Sequence, residues 1–208
     1  RLFNLDGYFE MAGNLAKSYV KKAAAVNALG DKRGAVAFYD QAIVILEWLV
    51  NKGDRRELAG DLAVVYMNKS VMVGALGNQR GEVVLCDQAI AILDRLVNQE
   101  GRNELSSRLA RAYMNNAAKL GALGDKRKAV VFYDQAIAIL DRLVNRDGRQ
   151  ALANDLAMVY FGKAVAVNAL GDYRAAVAMC DQNIAILRQL VEQEGRSDLS
   201  GDMMTSEL

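Results

Sequence analysis

Apolar residues early in the chain step at three- and four-residue intervals. Met11, Leu15, Tyr19, Val26 and Leu29 fall on one helical stripe, with polar Asn14, Lys17 and Lys21 between them. Gly30 follows, a residue free to take the left-handed conformation that ends a helix, so a first helix is predicted over roughly 8–29. Asp31 then stands where an N-cap side chain accepts from orphan backbone amides. Beyond it Val36, Tyr39, Ile43, Leu46 and Val50 again step by three and four, which predicts a second helix running to about residue 50. The polar run Asn51-Lys52-Gly53-Asp54 closes the unit.

The same unit recurs at a step of 47 residues. Leu15-Ala16 returns as Leu62-Ala63, Leu109-Ala110 and Leu156-Ala157, and Tyr19 as Tyr66, Tyr113 and Tyr160. Ala28-Leu29-Gly30 returns as Ala75-Leu76-Gly77, Ala122-Leu123-Gly124 and Ala169-Leu170-Gly171, each followed by a cap residue (Asn78, Asp125, Asp172) and an arginine (Arg80, Arg127, Arg174). An Asp-Gln pair stands at 40–41, 87–88, 134–135 and 181–182, and later copies end at Gly101, Gly148 and Gly195. At the ends, Arg1-Leu2-Phe3-Asn4 matches Arg142-Leu143-Val144-Asn145, and Leu199 with Asp202-Met203 matches Leu152 with Asp155-Leu156. The expected organisation is one array over 1–208. Residues 1–7 form the tail of a preceding copy, 8–54, 55–101, 102–148 and 149–195 four full copies, and 196–208 the start of a fifth in a longer parent protein.

Composition narrows the chemistry. With 52% hydrophobic residues among 208, the chain can bury its own core without disulfides or metals, and the absence of proline suits long helices rather than strands. A net charge of +1 supplies no field to hold a phosphate backbone or an anionic bilayer, so neither nucleic acid nor a membrane is an expected partner. No apolar run reaches the roughly 18 residues of a membrane span and no secretory leader opens the chain. A cytoplasmic location is the expectation for this piece, any targeting segment belonging to the part of the longer protein outside it. Cys86 and Cys180 share a column two copies apart, about 16–20 Å if like helices stack every 8–10 Å. They are expected as small buried residues, not a bridge. There is no histidine to act as general base or metal ligand, no thiol pair for zinc, and no phosphate-cradling glycine loop. Aspartates a whole copy apart stand too far from one another for a catalytic dyad. No catalytic residue, metal site or cofactor is expected, and the chain is read as a non-enzyme.

A first helix carrying Leu-Ala-x-x-Tyr, followed by Gly-Asp, an alanine and an aromatic four residues later, resembles the tetratricopeptide repeat pattern over essentially the whole chain. The first copy reads Leu15-Ala16-x-x-Tyr19, Gly30-Asp31, Ala35, Tyr39, Ala42; the fourth reads Leu156-Ala157-x-x-Tyr160, Gly171-Asp172, Ala176, Cys180. Departures are informative. The family's glycine is Ala16, Ala63, Ala110 and Ala157; its bulky residue early in the first helix is Ala12, Ala59, Ser106 and Ala153; Asn183 interrupts the small-residue column of Ala42; and the terminating proline is missing. Gly30 stands eleven positions after Tyr19, about two helical turns more than in the family's pattern, so the inward face is kept on a longer helix. The resemblance implies an all-α solenoid, a right-handed superhelix of antiparallel helix pairs, that binds a peptide or protein surface in a concave groove lined by the first helices.

Columns identical in all copies (Leu15, Ala16, Tyr19, Leu29, Ile43, Ile45, Leu46 and Leu49) read as stacking framework. Columns that vary on the first helix are the groove candidates: Lys17, Val64, Arg111 and Met158 in one; Lys21, Asn68, Asn115 and Gly162 in another; Asn14, Asp61, Arg108 and Asp155 in a third. The all-apolar column Val20, Met67, Met114 and Phe161, with Val71 and Val165 nearby, suits either adaptable contacts to a partner or packing between successive first helices. A clamp for a peptide's terminal carboxylate, which some members of the family carry, is not expected. Gly13, Asp61 and Glu104 stand in its place, and the acids would repel the ligand. The recurrent Asp40, Asp87, Asp134 and Asp181 are expected to pair structurally, with Arg33 and its equivalents or with Arg55, Arg102 and Arg149. Two further roles fit the same sequence: self-assembly into homo-oligomers through the ends of the array, or a regulatory arm of a larger multidomain protein.

Overall fold

The computed structural model describes residues 5–194, so residues 1–4 of the tail expected at 1–7, and the whole of the segment at 196–208 expected to open a fifth copy, lie outside the described residues. Among the described residues eight α-helices follow one another: α1 Leu5–Ala28, α2 Lys32–Asn51, α3 Ala59–Ala75, α4 Gln79–Asp94, α5 Ser106–Ala122, α6 Lys126–Asp141, α7 Ala153–Ala169 and α8 Tyr173–Glu194. No strand occurs among the described residues. Helices α3, α5 and α7 begin 47 residues apart, as do α2, α4, α6 and α8.

The caps fall where the local chemistry requires them. Gly30, Gly77, Gly124 and Gly171 have φ of 89°, 88°, 94° and 86°, terminating the odd-numbered helices in a conformation that a side chain would oppose. The next helix opens at once. Asp31, Asn78, Asp125 and Asp172 each accept from a backbone N–H three residues on, at 2.8, 2.9, 3.1 and 3.0 Å. Helices α4 and α6 widen into π-turns at Arg95–Gln99 and Arg142–Arg146 before left-handed Gly101 and Gly148. The first copy has Asp54 in that glycine column, at φ 52°.

Packing explains the alanines. Ala16, Ala63, Ala110 and Ala157 are at most 1% exposed, as are Ala35, Ala42, Ala89, Ala129 and Ala136, and small side chains let helices approach closely. Around them sit Leu49, Leu93, Leu96, Leu140 and Leu156, all fully buried, each contributing about 1.5–3 kcal/mol by leaving water. One alanine column contains Glu82, which is buried; opposite it stands Gly74, where any Cβ would collide with the Glu82 carboxylate. Asn183, which interrupts another, donates from Nδ2 to the Ala157 carbonyl at 2.8 Å, so its amide is bonded to α7 rather than stranded.

The chain divides into two compact units, Arg1–Ala112 and Tyr113–Leu208, with the division inside α5. In the first, α1 packs on α2, α2 on α3 and α3 on α4; in the second, α6 packs on α7 and α7 on α8.

Two sequence expectations need correction. Leu29, although identical in every copy, is 87% exposed, and Leu76, Leu123 and Leu170 are also exposed: the column sits at the helix stop, beyond the last buried turn, and does no stacking. Two members of the aspartate column, Asp40 and Asp134, pair with lysine rather than arginine. Asp40 meets Lys69 of the following helix α3 at 2.5 Å, and Asp134 meets Lys163 of α7 at 2.6 Å, because α2 packs on α3 and α6 on α7. Arg33, Arg80, Arg127 and Arg174 lie in solvent. Arg55 and Arg102 work in the loops instead. Arg55 bonds Asp6 at 2.9 Å and lies over the Phe9 ring, while Arg102 bonds Glu104 at 2.9 Å.

Candidate functional site

The exposed flank of α1 and the start of α3 enclose a cavity of about 440 Å³. Its formation follows from side-chain size. Gly13 presents no side chain to α3, and a Cβ there would only just touch Leu58, so a trough opens between the two helices above Leu46 of α2. Leu46, Leu58, Val65, Val20 and Val64 supply an apolar floor and wall, and Asn14, Lys17, Ser18, Lys21 and Asp61 the polar margin. Lys17 and Lys21, one turn apart, project from α1 into solvent, and Asp61 is exposed on α3. A second cavity of about 350 Å³ shares Gly13, Asn14, Lys17 and Leu58 and continues towards the N-terminus of α1, past Glu10, Phe9, Asp6, Arg55 and Glu57. Phe9 is fixed there by Trp48, ring centroids 5.5 Å apart, and by the Arg55 guanidinium 5.5 Å above its face.

Four candidate residues, Lys17, Val20, Lys21 and Val64, therefore line one trough. Met67 and Asn68, one turn further along α3, are half-buried and outside it. Arg111 on α5 is exposed; Met114 is half-buried and Asn115 exposed on the same helix. On α7, Met158 and Phe161 are 53% and 58% exposed, and with Val165 they make an apolar stripe at helical spacing. The column of Val20, Met67 and Met114 is half-buried in three copies and open only at Phe161, the pattern of residues that pack against a following helix. Leu46, Leu58, Val65 and Phe9 were not among the sequence candidates. Leu46 reads as stacking framework, and in the structure it and Val65 stay buried while lining the base of the trough beside half-buried Leu58, with Phe9 half-buried in the second cavity.

Electrostatic perturbations lie away from the trough. Burial raises the Tyr66 phenol well above its ordinary 10.0, and its 2.5 Å hydrogen bond to the Glu47 carboxylate, with the charge of that group, raises it further. Tyr160 is raised by burial and then by the nearby Asp141 charge. Glu104 is lowered, chiefly by a backbone hydrogen bond and then by Arg102. Among the described residues no three His, Cys, Asp or Glu side chains gather where they could hold a metal ion, and no helix is long and apolar enough to cross a membrane.

Repeated antiparallel helix pairs, a small-residue seam and a Gly-Asp stop-and-start define an all-α solenoid fold of the tetratricopeptide-like repeat type. Solved structures share it. A crystal structure of BtubC (BKLC) from P. vanneervenii superposes with a TM-score of 0.68 at 22% identity over 86% of this chain, which spans 65% of that protein. MamA superposes at 0.61 with 13% identity, covering 90% of this chain and 87% of that one. A variant of the nearly identical TPR-like repeats of a Podosopora anserina putative kinesin light chain superposes at 0.59 with 16% identity, covering 93% of each. No protein-family model and no curated protein sequence matches the chain.

Proposed function

We propose that this protein is a binding module for a peptide segment, held in the trough between α1 and α3. The observation that supports it is the trough itself: a cavity of about 440 Å³ with an apolar floor and lysines along one margin, opened by Gly13. Ligand sites combine an apolar interior with a few polar groups that set orientation, and this trough has both. Its preferred segment carries one apolar side chain for the space over Leu46 and Leu58, flanked by an acidic residue that reaches Lys17 or Lys21. Asp61 on the opposite margin disfavours a free terminal carboxylate and accepts from a backbone amide or a basic side chain.

Panning a displayed peptide library against the protein, then measuring the selected peptides by fluorescence anisotropy, tests this. Val64→Arg fills the trough and Lys17→Glu reverses its margin; each should weaken binding at least about tenfold, about 1.4 kcal/mol. Val71→Arg, on an exposed face of α3 outside the trough, should leave it unchanged. Selected peptides that bind Val64→Arg and Lys17→Glu as well as the parent would place recognition elsewhere.

A further inference from the structure

The columns that vary on the first helices follow a charge order of their own. In the columns of Asn14 and Lys17, α3 has Asp61 and Val64, and α5 has Arg108 and Arg111. Lys21 adds a second positive charge to α1, where α3 has Asn68. Lys17, Lys21, Asp61, Arg108 and Arg111 are all exposed, and all lie within the unit Arg1–Ala112. Successive first helices therefore read positive, negative, positive. The acids one turn nearer the helix starts, Glu10, Glu57 and Glu104, recur in all three copies and leave that order unchanged. Two of them are already engaged, Glu57 by Arg55 at 3.8 Å and Glu104 by Arg102 at 2.9 Å.

The two junctions differ in apolar space as well. Gly60 repeats Gly13 in the next copy, yet there Leu105 Cδ1 stands 3.4 Å and Arg108 Nη1 3.9 Å from the position a Cβ would take. At Gly13 the nearest atom is Leu58 Cδ1, at 4.0 Å. Leu105 and Arg108 thus lie over the notch between α3 and α5, which offers charge where the α1–α3 junction offers a cavity.

We infer that the ligand is a polyproline-II segment crossing α1, α3 and α5, with an acidic, a basic and a second acidic side chain at every third residue. This rests on the trough being the binding site, and adds the pattern its ligand carries. Like helices stack about 8–10 Å apart. A polyproline-II strand rises about 3.1 Å per residue and repeats every three, so each third side chain returns to the same side after about 9 Å. An α-helix takes about six residues over that distance and turns successive charges to different sides. The first acid meets Lys17 and Lys21, the base Asp61, and the second acid Arg108 and Arg111. An apolar residue beside the first acid fills the cavity over Leu46 and Leu58.

Fluorescence anisotropy with a labelled heptapeptide, capped at both ends, is the test. It carries aspartate first and last, leucine second, lysine fourth, serine fifth, and proline third and sixth. The parent protein should bind it, more weakly as salt rises. The Arg108→Glu, Arg111→Glu double variant should weaken binding at least about tenfold, and Asp61→Lys about fivefold. Each loss should be regained with the matching peptide, lysine in the seventh position for the α5 variant and glutamate in the fourth for Asp61→Lys, a recovery that a misfolded variant cannot give. If Val64→Arg binds as well as the parent, the trough reading falls and this one with it. If Val64→Arg abolishes binding while the charge reversals and matched peptides change nothing, the trough stands and the inference is overturned. A parent that fails to bind the heptapeptide at millimolar concentration overturns it too, whatever library-selected peptides do at the trough.

Discussion

Leucine columns identical in every copy have opposite fates in the structure, and truncating them one at a time measures the difference. Leu62 is 4% exposed, Leu15 in the same column is 49% exposed, and Leu29 is 87% exposed, all three within the unit Arg1–Ala112. Leu62→Ala removes a buried isobutyl group and leaves a cavity among close-packed neighbours, a loss of about 3 kcal/mol within a range of about 2–5. Leu15→Ala gives up roughly half the transfer term and leaves no enclosed void, about 1 kcal/mol. Leu29→Ala takes a side chain from water to water at a position past the helix end, a change under about 0.5 kcal/mol. Urea unfolding followed by circular dichroism, at a concentration where the protein is monomeric, reads all three. With a slope of about 2 kcal/mol per molar, the midpoint should fall by about 1.5 M for Leu62→Ala, about 0.5 M for Leu15→Ala and less than about 0.25 M for Leu29→Ala, the slope itself unchanged. A Leu29→Ala midpoint as low as that of Leu62→Ala would show that identity between copies does track burial, and the assignment of Leu29 to the solvent-facing helix stop would be wrong.

Asp54→Gly should stabilise the protein by about 0.5–1 kcal/mol in the same urea assay, because Asp54 holds φ 52° where later copies have glycine. Gly162→Ala should cost about 1–3 kcal/mol, since its Cβ would fall 2.6 Å from Cζ of Tyr133; Tyr133→Cys, the residue found in that column at Cys86 and Cys180, should recover most of the loss in a double-mutant cycle. Stability should fall as pH rises above the ordinary phenol value of 10.0. From there the unfolded chain ionises Tyr66 while the folded chain holds it neutral, so the folded state binds the extra proton and loses ground with each added pH unit. In Tyr66→Phe the alkaline slope of the midpoint should be shallower by one proton, and an unchanged slope would show that Tyr66 ionises alike in both states.

Much of this protein was legible in one dimension. The helix stops at Gly30 and its equivalents, the Asp31-type caps and the small-residue seam are local facts of backbone conformation and side-chain size, and the 47-residue step carries them from copy to copy. Comparing copies inside the chain also located a varying face on the first helix, of which Lys17, Val20, Lys21 and Val64 come together in one trough. Periodicity could not say where that face opens, because a trough depends on what the neighbouring helix lacks: Gly13 removes a wall, and Leu46, a framework residue by pattern, becomes its floor together with Leu58. Nor could it assign the aspartate column. Lys69 lies 29 positions after Asp40 in a different helix pair, while Arg33 is near in sequence yet turned to solvent. A repeating sequence determines what every copy can do; packing decides which neighbour each copy meets. Leu15 and Leu62, or Asp181 and Asp40, are therefore the same residue in sequence and different surfaces in space.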